Sequence, residues 1–138
     1  MRRVLLIEAW LSVKEKDYKF KRALLEAIDE SLNKILGETA TRTIYFHIQQ
    51  NHHLKRQDIP DNLQDFLSTL ERIFGIGALV IEKTIMENLY SRLSINNKDL
   101  SLKYKNKEQF NFIGYTTDLR SILLKEAVNT SSVVPYIS

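Results

Sequence analysis

The sequence predicts an all-α fold, a compact bundle of four to six helices around one core, on three observations. Apolar residues recur at intervals of three and four along most of the chain. Only 4 Gly and 2 Pro are present, too few turn residues for a many-stranded sandwich or barrel. With 138 residues, 43% of them apolar, and no cysteine, the chain can close a single hydrophobic core without a disulfide or a metal. The expected organisation is one helical domain over residues 1–128, followed by a C-terminal tail over 129–138.

Residues 3–13 read as a first helix that packs Leu6 and Trp10 on the core, with a short strand as the alternative. The strongest periodicity lies in 18–36, where Phe20, Leu24, Ile28, Leu32 and Leu36 repeat every four residues and Leu25 and Ile35 widen the stripe. Asp17 stands where an N-cap belongs, and Gly37 where a helix C-terminus belongs. A helix over 39–51 turns Ile44, Ile48 and either Tyr45 or His47 inward. Pro60 suits the first turn of a further helix over 61–74, because its missing N–H has no intrahelical partner there, and Asp61 and Asp65 complement the positive end of the dipole.

Gly75-Ile76-Gly77 then breaks the chain before a long apolar helix over 78–93, which should form a central helical hairpin with 61–74. Leu100, Leu102 and Tyr104 alternate with polar residues, as in a short strand. A last helix is expected from Asn106, with Gln109 completing a capping box. The competing reading pairs 100–104 with 109–115 as a hairpin and caps the helix at Thr117.

The net charge of +3 is mild. Residues 2–22 nevertheless hold seven basic side chains against three acidic ones, most simply a solvated helix face. The alternative is a nucleic-acid contact built from Arg2, Arg3, Lys14, Lys21, Arg42, Lys55 and Arg56. A recognition helix needs polar donors near its N-terminus. Helix 78–93 begins Ala78-Leu79-Val80 and offers none, whereas 39–51, with Thr41, Arg42, Gln49 and Gln50, is the better candidate. The opening MRRVLLIEAWLSV does not read as a signal peptide, since Glu8 interrupts the apolar run and no small-residue cleavage site follows. No stretch reaches the roughly 20 apolar residues of a membrane span. A soluble cytoplasmic protein is expected.

No constellation of reactive groups emerges, so neither catalysis, nor a cofactor, nor a metal is expected. Absent cysteine removes thiol chemistry and thiolate metal sites. His47, His52 and His53 lack the spacing that places two ligands on one helix face. Asp58, Asp61, Asp65 and Glu71 read as dipole complements, and Glu26 and Glu30 as partners of Arg22 and Lys34. Gly75-Ile76-Gly77 lacks the third glycine and the lysine of a phosphate loop.

The segments ALLEAIDESLNKILGETATRTIYFHIQQ and DIPDNLQDFLSTLERIFGIGALVIEKTIMENLYSRL share an order of features: a helix ending in LG, an aromatic IYFHI stretch, an acidic-proline start, a LERIFG-x-GA hinge and a long closing helix. Over about 23–93 this resembles the archaeal Nitrosopumilus output domain family. The resemblance implies an archaeal cytoplasmic module at the output end of signalling, and transfers no catalytic residue. Together these readings point to a non-enzymatic regulatory or adaptor domain that binds a protein partner, a second copy of itself included. The expected surface is Met86, Leu89 and Leu93 with Val133, Val134 and Ile137 of the tail, because helix 78–93 carries more apolar positions than one buried face requires.

Overall fold

The computed structural model describes residues 2–93 and 111–129, with side chains over 6–93 and 111–125. Five α-helices build it: α1 (Arg2–Leu36), α2 (Glu38–His52), α3 (Leu63–Phe74), α4 (Ala78–Leu93) and α5 (Phe112–Asn129). Short 3₁₀ turns at Arg56–Asp61 and Gly75–Gly77 flank α3. No strand occurs among the described residues, and the all-α bundle expected from the sequence is the fold.

The two expected N-terminal segments are one helix. Nothing between Arg2 and Leu36 is glycine or proline, so no residue interrupts the ladder. Asp17 therefore lies mid-helix, and is not the cap its position suggested. Gly37 ends α1 at φ 89°, ψ 163°, a conformation that strains any residue with a Cβ. Its carbonyl accepts from both the backbone N (3.1 Å) and the Oγ1 (2.9 Å) of Thr41, which fastens the start of α2. His53, at φ 55°, closes α2 by donating its N–H to Gln49 O at 2.9 Å.

Pro60 does not open α3. It sits with Ile59 in the first 3₁₀ turn, both side chains buried, and α3 begins only at Leu63. A 3₁₀ turn accommodates the missing N–H as readily as a helix start does, and here it also carries Ile59 into the core. At the other end of the chain the Asn111 side chain accepts from Gly114 N at 3.0 Å and caps α5. Residues 112–115 are helical, which excludes the hairpin reading over those residues and removes Thr117 as a cap. The expected strand over 100–104 and the Asn106 and Gln109 box lie outside the described residues.

The core combines Phe20, Leu24, Ile28 and Leu32 of α1 with Ile44 and Ile48 of α2, Ile59 of the first 3₁₀ turn, Phe66 and Leu70 of α3, Ile81, Ile85 and Leu89 of α4, and Phe112, Leu119 and Leu123 of α5. Burying each such side chain contributes about 1.5–3 kcal/mol. Tyr45 packs partly against this cluster while His47 is exposed, which resolves the choice left by the periodicity of α2. The hub is α1, which touches α2, α4, α5 and the first 3₁₀ turn. Helix α4, expected to be central, touches α1, α3 and α5, and the longer α1 shares that role because its stripe reaches α2 and the first 3₁₀ turn as well.

Candidate interaction surfaces

The first surface lies on the N-terminal half of α1. Leu6 is 60% exposed and Trp10 58%, and Ile7, Leu11 and Tyr18 are exposed as well. Leu6 and Trp10 thus do not pack on the core, contrary to the sequence expectation. The first buried side chain among the described residues of α1 is Phe20. Helical spacing gathers Leu6, Ile7, Trp10 and Leu11 into one apolar patch. Lys14, one turn further on, holds its ammonium 5.4 Å from the Trp10 ring centroid, so cation and indole present themselves as one unit.

The second surface is the α3–α4 junction. Gly75, at φ 56°, turns the chain so that Ile76 stands 93% exposed, with Ile73, Leu79 and Val80 exposed around it. Beside this collar lies a cleft of about 500 Å³ lined by Glu71, Gly75, Ile76, Ala78, Leu79 and Glu82. Glu82 is only 8% exposed, yet it has no hydrogen bond or ion pair among the described residues. Burial pushes its carboxyl above the usual glutamate range, and the neighbouring Glu71 carboxylate pushes it further. Sequence spacing carried a sign of this: Glu82 is four residues from Ala78 and four from Met86, both buried.

Several of the other charges link one helix to another. Arg120 of α5 forms a two-pronged pair with Asp17 (2.6 and 2.9 Å), approaches Asp61 at 3.6 Å and lies over the Phe20 ring. The Arg120 guanidinium holds the Asp17 carboxyl below its ordinary range. Asp29 of α1 accepts from Tyr45 of α2 and from Arg56. Burial and that bond to Asp29 push the Tyr45 phenol well above its ordinary range. Arg92 of α4 reaches Glu26 at 3.1 Å and also binds Glu30. Arg22 pairs with Glu26 as expected (3.2 Å), whereas Glu30 takes its partner from α4 and not from Lys34.

These contacts decide where the sequence candidates stand. Met86 and Leu89 are buried in the core and Leu93 packs against it, so they do not form the surface expected of them. The surplus apolar positions of α4 are Leu79 and Val80, at its other end. Val133, Val134 and Ile137, and the side chains of Arg2 and Arg3, lie outside the described residues. Among the basic candidates, Lys21 pairs with Asp61 (2.9 Å) and Asp17 (3.7 Å), and Arg56 with Asp29. Lys14, Arg42 and Lys55 are exposed, with Arg42 3.7 Å from Glu38. Thr41, a candidate base reader, is buried and bonded to Gly37. His52 approaches Asp65 at 3.6 Å, and no group of three metal-ligating residues gathers among the described residues.

What fold and surfaces define together is a class: an all-α bundle, with no described helix long and apolar enough to cross a membrane, bearing two apolar patches next to charge. Compared with protein-family models, curated proteins and solved structures, the chain has no match.

Proposed function

We propose that this chain is a non-enzymatic regulatory or adaptor domain that acts by protein–protein contact, and that a second copy of the chain is among its partners. One observation carries the reading: Leu6, Ile7, Trp10 and Leu11 form a contiguous exposed apolar patch on a helix that is otherwise part of a packed bundle. An aromatic anchor amid aliphatic side chains is the composition of an interface centre. Within this reading, the resemblance of 23–93 to the Nitrosopumilus output domains supplies a role, the output end of a cytoplasmic signalling system in an archaeon.

Light scattering coupled to size exclusion tests it. The wild-type mass should rise above 16.1 kDa with concentration, and Leu11→Glu should hold it there, because a charge placed in a desolvated contact is costly. Equal masses of 16.1 kDa for both chains at every concentration would remove self-association from the proposal.

A further inference from the structure

The two exposed patches differ in a way that makes them complementary. The α1 patch joins an indole to an ammonium through Trp10 and Lys14. The junction cleft joins an apolar wall, Ile76 and Leu79, to the carboxylates of Glu71 and Glu82. Glu82 adds a second observation: its side chain is more than nine-tenths covered, and its carboxyl meets solvent through the cleft with no hydrogen bond or ion pair among the described residues. A carboxylate at the mouth of such a cleft is stabilised by a cation that arrives with its own apolar shield. Lys14 riding on Trp10 is such a cation.

We infer that the α3–α4 cleft of one copy receives the Trp10 and Lys14 face of α1 from a second copy, the indole against Ile76 and Leu79 and the ammonium against Glu82 and Glu71. Both faces are exposed in the single chain, so neither covers the other. Moreover α1 runs from Arg2 to Leu36 without a break and cannot fold back on itself. Each copy thus offers one face of each kind, and the contact is head-to-tail. Such contacts repeat into rings or growing chains and do not stop at a symmetric dimer.

This inference rests on the self-association proposed above and specifies its geometry. It is tested with Trp10→Glu, which spoils only the α1 face, and Ile76→Lys, which spoils only the cleft. Both positions are exposed, so both variants should fold, as circular dichroism would show. Each alone should stay at 16.1 kDa. Their equimolar mixture should form a complex of two chains and no larger species, since one intact face of each kind remains. Glu82→Gln should weaken wild-type association by about tenfold or more, as expected for truncating one member of a desolvated charge pair. A mixture that stays monomeric while wild type associates would overturn the inference and assign the contact to like faces. A wild type that is monomeric throughout would remove the self-association reading together with this geometry.

Discussion

Glu82 shows how packing around one side chain shifts its proton equilibrium. It occupies a buried face of α4, and its carboxyl is pushed upward chiefly by loss of water and secondarily by Glu71. A folded-state pKa above the unfolded value favours the fold fully at pH below the unfolded value, near 4.5, and that advantage fades as pH rises through the folded value. In dilute, monomeric solution Glu82→Gln should therefore melt above wild type at pH 7, and the gap should close as pH falls below 4.5. Thermal melts at the two pH values check this, and a gap of the same size at both would contradict it. Asp17 has the opposite sign. Arg120 holds its carboxyl low, so its contribution is complete above the usual aspartate range and is lost on acidification. The partners of Asp17 and Glu30 were beyond the reach of local spacing because Arg120 and Arg92 stand 103 and 62 residues away in sequence. Periodicity reports which residues share a helix face. It does not report which helix comes to lie against that face.

Among the elements, α1, α2 and α4 were legible because each has an uninterrupted apolar stripe closed by glycine or by polar residues. The stripe of α1 begins at Phe20, and reading the helix from there hid its continuation to Arg2, because Leu6, Ile7, Trp10, Leu11 and Tyr18 before it are exposed and do not extend the core-facing repeat. The start of α3 was displaced by Pro60, which fits a 3₁₀ turn as well as a helix N-terminus. The break at Gly37 was legible and is the more demanding of the helix ends. With φ 89° and ψ 163° it occupies a region essentially reserved for glycine, although a Cβ there would meet no neighbour within 4 Å. The cost of Gly37→Ala is therefore one of backbone conformation and not of crowding. About 1–3 kcal/mol of stability should be lost, read by chemical denaturation, with the bundle otherwise intact. An unchanged midpoint would contradict the assigned conformation.

For the whole molecule, the sequence made the fold class plain, whereas the expected exposure of Met86, Leu89 and Leu93 is not found. Apolar richness in 78–93 suggested Met86, Leu89 and Leu93, but a helix touched by α1, α3 and α5 uses those positions for the core. The surplus appears instead at Ile76, Leu79 and Val80 and along the N-terminal half of α1, and which apolar residues are left over follows only from the completed packing. Trp10, the single tryptophan of the chain, stands in the middle of the α1 patch and reports on it directly. Its fluorescence, followed from nanomolar to high micromolar protein, is the most direct measurement of whether that patch is an interface. The emission of a water-exposed indole should move to shorter wavelength over the same concentrations at which the mass rises. An emission maximum that stays at the solvent-exposed position at every concentration would contradict it.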